Sequence, residues 1–305
     1  MTSGGGSTSG RGQAQGLLGS HPRAAVTVSR VMQGVSSFGF AAAAAGGVTA
    51  AAITLAVASV VCLVGAAVVH SLRTMPVMLR NRTLWAVSVV GAVSLILGAQ
   101  AYQMAAVATV SFLLLLVPVF AGLLAPLYGE RLTRRDLVGL GIGLVGVAFF
   151  AQPSPAFDTE WLGIVLALLC GLALGLQWHQ SRSLATHAYE PWATSAAQMI
   201  VPAGLGLILV LSLGLSPARA ALLWLLVSGL GYAGNTALRL IGLHVLTASK
   251  AALIAPVSAI TSTLLALLFL HQVPDLLTCL GAVVMVIGVV VSQWPAPTRK
   301  AGAVR

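Results

Sequence analysis

From Val31 to Leu72 the chain runs for forty-two residues without a charged side chain, and from Thr83 to Gly129 for another forty-seven. Few folds accept such intervals. A charge at the bilayer centre costs at least about 2.5–3.5 kcal/mol on insertion scales, and a helix needs about 20 residues to cross roughly 30 Å of hydrocarbon. Charges therefore act as fence posts between spans. Composition agrees, with 58% hydrophobic and 7% charged residues, against roughly 45–50% and about 25% in soluble domains. A soluble core could not hide that much apolar surface, whereas lipid can. The expectation is an all-α membrane protein.

Reading the charge-free intervals in turn gives ten spans. Arg30 to Arg73 holds two helices, the first from about Val31 to Ala45, with a turn at Gly46-Gly47. Arg82 to Glu130 holds two more, broken near Gln100 to Gln103. Single helices fit between Asp136 and Asp158, Glu160 and Arg182, Glu190 and Arg219, Ala220 and Arg239, Lys250 and Asp275, and Asp275 and Arg299. The stretch from Met1 to Gly19 is rich in Gly and Ser, with Arg11 its one charge. It has no compact apolar segment followed by a cleavage site, so it reads as a disordered tail rather than a signal peptide.

A net charge of +10 raises the question of nucleic acid, but the basic residues are scattered between apolar runs and form no basic face. Their use is orientation. With the N-terminus in the cytoplasm, fifteen of the sixteen Lys and Arg fall on the inside and only Arg219 falls outside, as the positive-inside rule requires. The expected location is the plasma or inner membrane, with both termini cytoplasmic. Asn81-Arg82-Thr83 matches a glycosylation acceptor but falls on the inside, and so reads as a chance match. Cys62, Cys170 and Cys279 all lie in apolar runs. Their odd number and wide spacing argue for packing rather than a disulfide framework or a zinc site.

The two halves echo each other at an offset of 142 residues. Gly139 and Gly146 correspond to Gly281 and Gly288, Val147 to Val289, and Pro153 and Pro155 to Pro295 and Pro297. Five spans is an odd number, so two copies of a five-span unit must lie inverted. The charges agree, since Val273, Leu276 and Leu277 stand where the first half has Arg131, Arg134 and Arg135. The organisation expected is a cytoplasmic tail over 1–27, a first five-helix repeat over 28–155, a second over 156–295, and a tail over 296–305. Inverted repeats of this kind place a substrate site near the midplane, where the halves meet.

Several motifs carry a resemblance. One is Val117-Pro118-Val119-Phe120, followed by Tyr128-Gly129-Glu130-Arg131-Leu132-Thr133 and then Gly139 to Gly146-Val147. The other is Ala248-Ser249-Lys250-Ala251-Ala252-Leu253, then Pro256, Leu270-His271-Gln272, Gly281 and Gly288-Val289. Together they resemble the two repeats of the EamA-type transporters of the drug/metabolite transporter superfamily. The second copy departs from the pattern, with His271-Gln272 in place of a Gly-Glu pair. The resemblance implies a ten-helix bundle that transports a small metabolite. These motifs mark a scaffold rather than a pocket.

Enzyme motifs are absent: there is no Walker A loop, no His-Glu-x-x-His helix and no paired aspartate within a span. The function expected is secondary transport, as an exporter, of an amino acid or a similar amphiphilic or anionic compound, by alternating access. An uncoupled facilitator or channel, or a non-transporting scaffold, is the alternative. No cofactor or metal is expected. The partners are a small-molecule substrate and the bilayer; a homodimer is left open.

Polar residues inside apolar spans mark the candidate pathway. They are Tyr102 and Gln103 in the third span, Gln177 in the sixth, Gln198 in the seventh, and Asn235 and Arg239 one turn apart in the eighth. Arg239 either meets an anionic substrate group or snorkels to the interface. Trp178 and His179 read as interfacial anchors, while Gln198 is deep enough to bond a neighbouring helix. Glu130, His179 and His271 are the candidate coupling or gating groups, with Glu130 equally readable as an interfacial carboxylate beside Arg131. Pro118, Pro202 and Pro256 fall within spans, where a proline frees a carbonyl that can line a cavity. Gly139 and Gly143, and Gly171 and Gly175, are small-xxx-small pairs that let helix backbones approach within the bundle.

The charge count fixes a topology that reporter fusions check. Fusions at Arg23, in the Asp158 loop and at Arg299 are expected to report inside, outside and inside. An inside report from the Asp158 loop would overturn both the orientation and the span count.

Overall fold

The computed structural model describes residues 21–128, 134–150, 160–186, 190–244 and 254–293, and these form helices and connections with no strand among them. The helices are α1 (Pro22–Ala43), α2 (Gly47–Val68), a short α3 (Met75–Met78), α4 (Arg82–Met104), α5 (Val107–Leu113), α6 (Val117–Leu124), α7 (Arg134–Phe150), α8 (Glu160–Thr186), α9 (Pro191–Ser212), α10 (Arg219–Leu243), α11 (Pro256–Leu270) and α12 (Leu276–Gln293). Six segments are long and apolar enough to cross a membrane: α2, α4, Val107–Tyr128, Trp161–Ala185, α9 and α10. Leu137–Phe149, Pro256–Leu270 and Leu276–Val291 are shorter apolar helices. The chain is a multi-pass membrane protein.

Local chemistry sets the boundaries. Pro22 opens α1, where a missing N–H costs nothing, so this helix begins well before the expected Val31. As a result Arg30 is not a fence post but lies inside α1, 6% exposed. Arg239 likewise lies within α10, 4% exposed. Setting both aside leaves thirteen basic residues on the side expected to be cytoplasmic against one. The break between the third and fourth spans falls at Ala105-Ala106 rather than near Gln100, because α4 continues unbroken to Met104. Asn81 caps α4 by accepting from the Thr83 N–H at 2.8 Å. The segment Val107–Tyr128 is not one regular helix. A 3₁₀ turn at Leu114–Leu116 separates α5 from α6, and Pro118 sits in the first turn of α6, where it withholds a donor. Pro256 opens α11, while Pro202 lies inside α9.

Packing places bulk outside and small residues inside. On α2, Ala51, Leu55, Ala58, Cys62 and Ala66 are buried while Val60, Val64 and Val68 face outward. Cys170 is also buried, whereas Cys279 is exposed on the outer face of α12 and takes no part in the core. The main helix pairs are α1 with α10, α4 with α8, α2 with α9, and α7 with α12. Further contacts join α2 with α10, α1 with α11, and α6 with α8.

The glycines that echo each other in the sequence meet in space. A Cβ at Gly146 would stand 3.0 Å from the Gly281 carbonyl oxygen, and one at Gly288 would stand 2.7 Å from that of Gly139. Gly175 lies against the Ala121 backbone in the same way, so both small-residue pairs serve packing inside the bundle. Gly288→Val would push two methyls into the Gly139 carbonyl, and overpacking of this kind costs about 1–3 kcal/mol. The expected outcome is a clear fall in the melting temperature of the purified protein in detergent. Gly141→Ala, whose Cβ would enter open space, is expected to leave it unchanged.

Candidate functional site

A cavity of about 40 Å³ lies at the centre of the bundle. α1 contributes Arg30, Gln33 and Ser37, and α4 contributes Tyr102. The α5–α6 break adds Ser111, Leu114, Val117 and Pro118, so the interrupted helix forms part of the wall. From the second half come Trp178 of α8, Arg239 of α10, and Ser258 and Ser262 of α11. Both halves of the chain therefore wall one polar space inside an otherwise apolar bundle.

Hydroxyls join the halves across it. Tyr102 Oη and Ser111 Oγ are 3.1 Å apart, and Ser262 Oγ donates to Ser111 Oγ at 2.7 Å. Ser111 belongs to the first half and Ser262 to the second. The charged side of the cavity is different. The Arg30 guanidinium stacks on the Trp178 ring, with its carbon 4.5 Å from the ring centroid. Nε and Nη2 of Arg30 and Nε of Arg239 are buried and have no hydrogen-bond partner among the described residues. The carboxylates of Glu190 and Asp275 are occupied elsewhere. Glu190 accepts from Ser71 Oγ at 2.9 Å and from the Ala193 N–H at 2.7 Å, capping α9. Asp275 caps α12 by accepting from the Thr278 side chain and backbone, and these bonds hold its carboxyl below the ordinary value. It is therefore ionised at neutral pH and poorly suited to carrying a proton.

The structure brings Tyr102 and Arg239 together at the cavity, and the other four pathway candidates do not line it. Asn235 is buried between α10 and α1, accepting from Ser29 Oγ at 2.9 Å and donating to Gln33 Oε1. It thus orients a cavity residue without lining the cavity. Gln103 donates to the Phe40 carbonyl, tying α4 to α1 near their ends. Gln177 is buried where α8 faces Gly91 of α4, and it bonds Tyr232 of α10. Gln198 is buried on α9, away from the cavity wall.

Among the coupling candidates, Glu130 lies outside the described residues. His179 is half-buried, stacked on Tyr128 with centroids 4.7 Å apart, and its Nε2 lies 2.7 Å from the Ala121 carbonyl oxygen. His271 is exposed and adopts φ +54° at the end of α11. Its neighbour Gln272, which breaks the repeat pattern, accepts from the Val107 N–H at 3.1 Å and so links the two halves at the start of α5. Trp178, 3% exposed, is a cavity wall rather than an interfacial anchor.

Arg30 and Gln33 are the residues that charge counting missed. A signal was present, because Arg30, Gln33 and Ser37 recur at the spacing of one helix face once the helix is allowed to begin at Pro22.

Similarity to known proteins fits this description. No curated protein matches the sequence. A protein solved by crystallography shares the fold with a TM-score of 0.64 and 17% identity, over 90% of this chain and 96% of that one. At that identity the likeness is one of fold alone. The model of the EamA-like transporter family matches residues 161–293. Over those residues, within its second half, the chain is similar to the EamA-like transporter family.

Proposed function

We propose that this protein is a secondary transporter of ten spans in two inverted five-helix units, exporting a small metabolite that carries an anionic group. The observation that carries the reading is the central cavity with buried guanidinium nitrogens that no described residue satisfies. An intramembrane ionisable group is expensive, and its ordinary explanation is function. A guanidinium fork suits a carboxylate or phosphate, and Arg239 supplies one from the second half.

The pairing of helices supports the inverted arrangement. Counting Val107–Tyr128 as one span, the contact of the first span with the eighth is matched by that of the sixth with the third. The second–seventh and fifth–tenth contacts each match themselves under the same exchange. The α7–α12 glycine contacts have the same reciprocity. A cavity of about 40 Å³ holds the charged end of a molecule rather than a whole metabolite, since ligand pockets run to roughly 300–1,000 Å³. Passage then requires the walls to separate. The α1–α10 pair and the α4–α8 pair are the units expected to rock, with Gln272 on Val107 and Gln103 on Phe40 as contacts that break.

The six acidic residues all fall near the ends of apolar runs. This favours a second reading, uncoupled facilitation through the same cavity.

Two measurements test these readings. In proteoliposomes loaded with an anionic or zwitterionic metabolite that the parent protein carries, Arg239→Ala is expected to lose most flux and Arg239→Lys to raise KM, because Lys keeps the charge but loses the fork. Normal kinetics in Arg239→Ala at equal expression would overturn the reading. Flux with and without an imposed proton gradient is expected to differ little. Any coupling that does appear should vanish in Glu130→Gln or His179→Gln, and strong coupling that survives replacement of both Glu130 and every histidine would sink this account. Direction is checked in cells, where expression is expected to lower internal accumulation of the metabolite.

A further inference from the structure

Resting on the reading of the cavity as the substrate site, we propose that Arg30 and Arg239 form one two-guanidinium site that selects a small molecule bearing two negative charges. The chemical class is a short dicarboxylate or a phosphate monoester, whose shared feature is two negative charges close enough together to meet both guanidinium groups.

The argument begins with charge balance. Arg30 comes from α1 and Arg239 from α10, both line the same cavity, and their charges repel each other across it. Each is more than nine-tenths buried. The two acidic side chains whose contacts are described cap other helices. Two buried cations facing one space, with no counter-charge among the described side chains, are unfavourable. A monoanion would neutralise one and leave the other uncompensated, whereas a dianion neutralises both.

Hydrogen bonding points the same way. Three guanidinium nitrogens of these two cavity-lining residues lack partners among the described residues: Nε and Nη2 of Arg30, and Nε of Arg239. All are donors, and a guanidinium has no acceptor. Together they call for acceptor oxygens from whatever occupies the cavity. Arg30 is also held in place. The Trp178 ring covers one face of its guanidinium, so its donors are directed in the plane of the fork, away from the ring. Its neighbour Gln33 is in turn fixed by Asn235. Arg30 is thus presented to the cavity rather than free to snorkel away.

The experiment uses the full-length protein in detergent or nanodiscs and matched probes that differ by one charge. Succinate is titrated beside succinamate, and glycerol 3-phosphate beside its methyl diester, at pH 7.5, with binding read by calorimetry and by thermal shift. The parent is expected to bind at least one dianion about 30-fold or more tightly than its monoanionic mate, the scale of losing one buried charge partner. The arm showing the preference tells dicarboxylate from phosphate ester. Arg30→Gln is expected to bring that ratio close to one, Arg30→Lys to restore part of it, and the double variant with Arg239→Gln to bind neither mate.

A parent ratio near one with anion binding intact would overturn the proposal without any variant having to fold. So would a ratio unchanged in Arg30→Gln alongside loss of binding in Arg239→Gln, an outcome that leaves the single-arginine reading standing. Failure of the parent to bind any of the four probes, together with unaltered metabolite flux in Arg239→Ala, would overturn both.

Discussion

Helices in lipid gain nothing hydrophobic by associating, because the hydrocarbon around them is as apolar as their own side chains. This bundle depends instead on close backbone approach. Gly146 lies against the Gly281 carbonyl, Gly288 against that of Gly139, Gly231 against that of Met32, and Gly39 against that of Trp224. Each contact requires that no Cβ be present, and each places the polar backbone of one helix within van der Waals range of the next. The same constraint explains why buried positions are so often alanine while Val60, Leu205 and Leu211 turn outward. Bulk at the interfaces would hold the helices too far apart for dispersion and weak polar contacts to act.

Close approach also makes short side-chain bonds feasible between helices far apart in sequence. Ser36 and Ser228 exchange a bond at 3.1 Å between hydroxyls, and Ser228 donates to the Ser36 carbonyl at 2.9 Å. Ser29 and Gln33 meet Asn235 on the same α1–α10 seam. An aromatic cluster of Phe38, Trp224 and Phe269 extends that seam to α11, with Phe38 and Trp224 edge to face at 5.3 Å. Such hydrogen bonds are individually modest in membranes, averaging about 0.6 kcal/mol. Their value lies in fixing which face of α1 is turned toward the centre.

Much of this was legible in the sequence because its rules concern costs that lipid cannot relax. Charge-free intervals marked apolar helices, and the glycine echo at a fixed offset fell on residues that the structure packs against each other between α7 and α12. The errors share one origin. Treating every charge as a boundary is correct for a side chain facing lipid and wrong for one facing a polar cavity, so Arg30 was placed at the edge of a span that in fact contains it. Gln100 and Gln103 suggested a break for the same reason, yet α4 accommodates both. Gln100 accepts from the Gly47 N–H at 2.8 Å and Gln103 donates to Phe40, so each polar group is satisfied by a neighbouring helix. Asn235 and Arg239 were rightly seen to share a face. That one of them meets α1 and the other the cavity depends on the crossing of two helices, and no spacing within one helix encodes that.

The placement of the charges follows from these interactions. A guanidinium in a low-dielectric interior will bend its helix or drag in water unless the surrounding structure resists. Arg30 and Arg239 both sit on the α1–α10 seam, where glycine contacts, serine pairs and the Asn235 bonds concentrate. The most closely cross-linked pair in the centre therefore carries the least favourable groups. The facing wall is built differently: α5 and α6 are interrupted at Leu114–Leu116, and Pro118 withholds a donor from the next turn. The charged seam and the broken helix thus line the same cavity. Trp178 reaches from α8 to stack on Arg30, so the charged seam also touches the α4–α8 pair.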